Sequence, residues 1–198
     1  MKNRHRCERG FTLLELMVTL AVASVLVVIA VPSFRDLLRR NQVSSASNAL
    51  LADLSYARSE ASTRGSIVSI CPSTDGTTCA STQAYESGWL VYTYSAGHSV
   101  AATAYDASKP ATNLLLRHTM AREGVSLQAD SADIVSFGPQ GQLLPTGSTH
   151  TFWTCFRPKG ESGGGSSTGK VPGAELAVNG SGSTSSKKLT EKTSCLFP

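Results

Sequence analysis

Apolar residues are distributed along this chain in three successive patterns. Residues 11–31 are apolar almost without interruption, with Glu15 the only charge inside the run. About 20 such residues suffice for a helix to cross roughly 30 Å of hydrocarbon. From residue 34 the pattern thins to a stripe in which Val43, Ala46, Leu50, Leu54, Ala57 and Ala61 recur at three- and four-residue steps, the spacing of an amphipathic helix with one buried face. Pro32 stands between the two stretches. It lacks a backbone donor and crowds the preceding turn, so a bend is expected there.

Gly65 ends the helical pattern, and short strand-like runs follow, separated by turn residues. They occupy 67–71, 89–94, 114–118, 125–127, 134–137 and 152–156, with a weaker run at 174–178. The expected class is α+β, a long N-terminal helix packed on antiparallel sheet.

The residues before the apolar run change the picture further. Lys2, Arg4, Arg6 and Arg9 against Glu8 make a basic decapeptide ending in Gly10. A general secretory signal carries its small-residue cleavage site after the apolar stretch. Here the small residue precedes it, so cleavage after Gly10 would remove the basic leader and keep the apolar helix. Phe11 would then carry the free amine, about one helical turn from Glu15. A carboxylate at the centre of a membrane helix costs about 2.5–3.5 kcal/mol and is usually functional with a partner, and that amine, within the chain or on a neighbour, is the candidate.

The net charge of +4 loses its apparent meaning once the leader is set aside, since the leader holds +3 of it. Bulk charge is therefore no argument for nucleic-acid binding. Arg35, Arg39 and Arg40 follow the apolar run, so orientation in the membrane rests on the leader more than on charge asymmetry. After the membrane segment the 198-residue chain retains enough length for one modest core.

Cys7 lies in the leader and Cys71, Cys79, Cys155 and Cys195 remain, an even set suited to disulfides in an oxidising compartment. Three pairings are possible, and the local one is preferred: Cys71 with Cys79 around a turn-rich loop, Cys155 with Cys195 around a long C-terminal excursion. The spacings do not suit a zinc site, and no metal or cofactor is expected.

Residues 160–170 are Gly- and Ser-rich and read as a mobile loop. Their end, 164–170, approaches a phosphate-binding loop, but Val171 supplies no hydroxyl for a metal and Pro172 opposes a following helix. His98, His118 and His150 are scattered and isolate no nucleophile, base and oxyanion donor, so the chain is not expected to be an enzyme. Asn179-Gly180-Ser181 reads as a tight turn in preference to a glycosylation acceptor.

The run Gly10-Phe11-Thr12-Leu13-Leu14-Glu15 resembles the class III leader junction of type IV pilins and type II secretion pseudopilins. The stretch Leu54-Ser55-Tyr56-Ala57-Arg58-Ser59-Glu60-Ala61 narrows the resemblance to the FimT/FimU minor pilins and GspH pseudopilins. The resemblance implies a type IV pilin-like fold, cleavage between Gly10 and Phe11 by a prepilin peptidase that also N-methylates Phe11, and subunit assembly through Glu15. It implies four segments: 1–10 the cleaved leader, 11–33 the transmembrane and polymerisation helix, 34–64 the amphipathic helix of the globular domain, and 65–198 a β-rich domain in the periplasm or outside the cell.

The implied function is that of a minor pilin in type IV pilus assembly or priming, at or near the filament tip. Its implied partners are other minor and major pilins, the peptidase/methyltransferase, the inner-membrane assembly platform and inner-membrane lipid. Two alternatives remain open. One is a GspH-like pseudopilin of type II secretion. The other is a DNA-binding minor pilin for uptake in natural transformation. Some FimT-like proteins bind DNA through a basic Gly-Arg-x-Arg motif, but this chain has Asn179-Gly180-Ser181-Gly182-Ser183 in the corresponding place, so Lys187, Lys188, Lys192, Arg157, Lys159 and Lys170 would have to form a replacement patch.

Overall fold

The computed structural model describes residues 11–95, 100–111 and 113–197. It contains one long helix, α1 (Leu13–Arg64), with Pro32 inside it, followed by strands and one short 3-10 turn at Tyr85–Ser87. Helical assignment is unbroken through Pro32. The chain forms two compact units, one ending at Leu38 and the other starting at Arg39.

In the first unit every described apolar side chain is exposed, from Phe11 at 82 % onward. Among the described residues, α1 alone is long and apolar enough to cross a membrane.

In the second unit the remainder of α1 buries Val43, Ala46, Leu50, Leu54, Ala57 and Ala61, the apolar stripe of the sequence. Gly65 ends the helix at φ +63°, a conformation that costs glycine little. The Ser66 amide reaches back to the Ala61 carbonyl at 3.2 Å, the closing bond of a Schellman cap.

Among the described residues nine strands follow: β1 (Val68–Pro72), β2 (Gly88–Tyr94), β3 (Asn113–Met120), β4 (Val125–Ala129), β5 (Val135–Phe137), β6 (Leu143–Leu144), β7 (His150–Phe156), β8 (Ala174–Val178) and β9 (Thr184–Lys188). They form two sheets, β3-β2-β1-β5-β6 and β4-β7-β8-β9, with every pairing antiparallel. Val68, Ile70, Trp89, Val91, Val135 and Phe137 from the first sheet, and Leu127, Phe152, Leu176 and Val178 from the second, share one core with the helix stripe. The opposite face of the first sheet is covered as well: Cys71, Leu90, Tyr92, Tyr94 and Tyr105 form a smaller cluster there. Covering both faces buries every residue of β1 and β2, which is why β2 carries the unbroken apolar run from Trp89 to Tyr92.

The Gly- and Ser-rich stretch 160–170 departs from the expected mobile loop. Ser166 bridges Phe156 and Ser167 bridges Lys192. The Ser167 hydroxyl accepts the Gly173 amide at 2.9 Å, and a Cβ on Gly164 would lie 2.7 Å from Leu196. Backbone pairing and close packing hold a segment whose composition reads as flexible.

Candidate assembly surface

Thr12 precedes the first turn of α1, and its hydroxyl accepts the Glu15 amide at 3.2 Å. This is half of a capping box, in which a Ser or Thr at the helix entry serves the amide three residues on. The Thr-x-x-Glu spacing at Thr12 and Glu15 carried that signal in the sequence, and reading Glu15 only as an assembly residue missed it. Glu15 thus lies in the first turn, where the amide ends of the helix favour negative charge. Among the described residues no ion pair neutralises it.

Farther along, Thr19 and Ser24 donate to the Leu16 and Ala21 carbonyls at 2.9 and 2.8 Å, so the hydroxyls inside the apolar stretch are satisfied by their own helix. What remains outward is hydrocarbon. Residues 1–10, where a cleaved leader ending at Gly10 is expected, lie outside the described residues, as does His98.

The Leu54 to Ala61 motif has structural readings at Tyr56, Arg58 and Glu60. Asp53, just before it and buried, accepts from Trp89 Nε1 at 2.8 Å, Thr119 Oγ1 at 2.7 Å and Arg117 Nη1 at 2.5 Å. A helix carboxylate is thereby tied to β2 and β3. The Arg117 guanidinium also stacks over Tyr56 at 4.1 Å from the ring centre. Arg58 donates to the Gly141 carbonyl at 3.0 Å and to the Ser181 carbonyl at 3.2 Å, and Glu60 pairs with Arg64 at 2.6 Å. Ala57 and Ala61 have no exposure and lie in the shared core.

Cys71 is joined to Cys79, and Cys155 to Cys195. Within the first loop, amides of Thr77 and Thr78 donate to Asp75 and hold its carboxyl well below the usual range. Near the second disulfide, Trp153 stacks on Phe197 at 3.8 Å, with Lys192 Nζ 4.0 Å from the Trp153 ring centre. His150 is buried beside Asp130, its Nδ1 3.8 Å from the carboxylate. Burial pushes its pKa down, and Asp130 opposes the shift.

The basic residues of the DNA alternative are dispersed among acids. Arg157 pairs with Glu86 at 2.9 Å, Lys159 with Glu123 at 2.5 Å and Lys187 with Glu175 at 3.0 Å. Lys188 is exposed on β9, Lys192 covers Trp153, and the Lys170 carbonyl accepts from Arg40. The 179–183 turn is closed by Asn179, whose side-chain oxygen accepts the Ser183 amide at 3.0 Å. That bond gives Asn179 the turn role expected of it.

An exposed apolar N-terminal helix, leading into a domain of helix against two antiparallel sheets, defines a type IV pilin-like subunit, a class of structural proteins and not of enzymes. The sequence model of the family described as Type II transport protein GspH matches residues 46–182. The chain belongs to that family and is a minor pilin or pseudopilin. The prokaryotic N-terminal methylation motif matches residues 5–31.

The Fimbrial protein EcpC of Eikenella corrodens is 44% identical over 41 residues, 21% of this chain and 27% of EcpC. That match spans about a quarter of the relative's length. Two crystal forms of the Pseudomonas aeruginosa type IV minor pilin FimU are similar in structure. One has a TM-score of 0.53 at 24% identity, covering 79% of this chain and 96% of FimU. The other has 0.51 at 23%, covering 77% and 98%. At these identities the likeness concerns the fold.

Proposed function

We propose that this protein is a minor pilin that helps prime or assemble a type IV pilus, at or near its tip. Cleavage after Gly10 and N-methylation of Phe11 would free the apolar helix, and Glu15 would meet the N-terminal amine of a neighbouring subunit. The observation that carries the reading is the first unit of the structure, in which all described apolar side chains are exposed around one acid in the first turn. Membrane before assembly, and other helices after it, would bury that surface. The proposed location is the inner membrane with a single span and the globular domain in the periplasm, then the filament.

The test is Glu15→Val in the producing cell. The variant should remain in the membrane fraction, while its amount in sheared filaments falls by about tenfold, as expected for loss of a charge partner inside hydrocarbon. Unchanged incorporation would refute the role of Glu15.

The family description favours a second reading, a pseudopilin of type II secretion. Deletion of the gene separates the two: loss of exported enzymes with normal twitching motility supports secretion, and the converse supports the pilus. Three of the six cations of the DNA alternative, Arg157, Lys159 and Lys187, face carboxylates, which counts against it. A gel shift of the protein at low salt tests it directly, since phosphate contacts weaken steeply with salt.

A further inference from the structure

Each sheet has two edge strands, and three of the four are guarded. At β4, the Glu86 carboxylate accepts the Leu127 amide at 3.0 Å, the Ala129 amide donates to the Gln83 carbonyl at 2.8 Å, and Ala84 bridges Gln128. β6 is two residues long, and its Leu143 amide is taken by the Gly180 carbonyl at 3.1 Å. β9 carries Lys187 and Lys188, and lysines on an edge discourage strand addition.

β3 differs from all of these. It is eight residues long and contains no lysine or proline. Among the described residues, no backbone hydrogen bond outside the β2–β3 ladder involves Asn113–Met120. Two large apolar side chains stand out from it, Leu114 at 54 % and Met120 at 75 % exposure. A register shift opposite Val91 and Tyr92 interrupts the ladder and leaves a paired run on either side.

Charge selects the occupant. From Asn113 to Arg122 the sequence holds no acid, whereas Arg117, His118 and Arg122 are basic. Arg117 is committed to Asp53, but among the described residues the Arg122 side chain reaches only Ser45 Oγ at 3.4 Å, and its buried Nε finds no acceptor there. A second copy of this chain would bring the same basic set against itself, and like charges opposite one another destabilise strand pairs.

We propose that β3 is an open docking edge that takes an extended, carboxylate-bearing segment of another protein as an antiparallel sixth strand. Main-chain bonds provide the affinity, as in other cases of strand addition. Leu114 and Met120 cover alternate side chains of the incoming segment, and its carboxylate meets Arg122.

The experiment uses the full chain in detergent micelles and two blocked peptides of alternating Val and Thr, as long as β3. One carries Glu near its N-terminus, the end that antiparallel pairing sets beside Arg122, and the other carries Lys there. Amide hydrogen exchange is followed by mass spectrometry. The Glu peptide should slow exchange within Asn113–Met120 by about tenfold and leave Thr184–Lys188 unchanged, since exchange reports local opening. Met120→Lys, at an exposed site that packing does not need, should abolish the protection, and Arg122→Gln should remove the preference for Glu. Absence of protection overturns the proposal, as does equal protection by both peptides. Concentration-dependent protection without peptide also overturns it, by identifying a second copy as the occupant. Because assembly is not involved, failure here leaves the pilin reading standing, and failure of Glu15→Val leaves this one standing.

Discussion

The two halves of α1 make opposite use of the same geometry. Residues 13–38 present apolar side chains around the whole circumference and bury none of them in their own chain. Residues 39–64 confine theirs to one face, where Val43, Leu50 and Leu54 meet two sheets. A helix apolar all round belongs in a membrane or inside an assembly, and one with a single stripe belongs on a globular core. The contrast teaches that the first half derives its stability from other molecules and the second from this one.

The comparison can be broken most severely at Asp53. Asp53→Ala leaves the Trp89 indole and the Thr119 hydroxyl without their acceptor at roughly 1–3 kcal/mol each, while Arg117, 44% exposed, turns to water, so the domain should lose about 3–5 kcal/mol. Denaturant unfolding would measure it, and a loss under about 1 kcal/mol would show that the carboxylate is dispensable.

A matched pair of leucines sharpens the contrast. Leu54→Ala should cost about 2–5 kcal/mol, because Leu54 has no exposure. Leu26→Ala, at a residue 62 % exposed, should leave domain unfolding within about 0.5 kcal/mol of the parent. Equal effects at the two sites would dissolve the distinction. Arg58→Ala removes two bonds to carbonyls, and a smaller loss of about 1–2 kcal/mol is expected, seen as a lower denaturant midpoint.

The smallest effect concerns pH. His150 has its pKa lowered by burial, so the unfolded chain takes up a proton more readily than the folded one. Its contribution is therefore complete above the unfolded value of about 6.5 and is lost as pH falls below it. Replacing His150 with Gln should flatten the fall in stability between about pH 7 and pH 5, as read by unfolding at each pH. An unchanged slope would assign the dependence to carboxylates.

Periodicity made both halves of α1 legible, and Gly65 marked the end. Strands β1 to β5, β7 and β8 were legible because they carry apolar or β-branched runs. β9, Thr-Ser-Ser-Lys-Lys, was not, because its order comes from pairing with β8 and from the contact of Lys187 with Glu175, neither of which leaves a local apolar signal. β6 is too short to show a period. The split into two sheets was equally hidden, since strand order is set by contacts distant in the chain. Asp53 and Glu86 carry no local signal of burial, and only their distant donors explain it. Residues 160–170 misled for the same reason, as composition reports intrinsic freedom while bridges to Phe156 and Lys192 remove it.

Gly182 sits so close to Gly141 that a Cβ there would fall 1.9 Å from the Gly141 carbonyl oxygen, with Arg58 bonded to both segments. A surface hairpin tip is the customary place to graft an epitope or accept an insertion. In this molecule that choice would be a poor one, because any residue larger than glycine at 182 would lever the tip away from its seat and strip the helix of its grip on two strand connections at once.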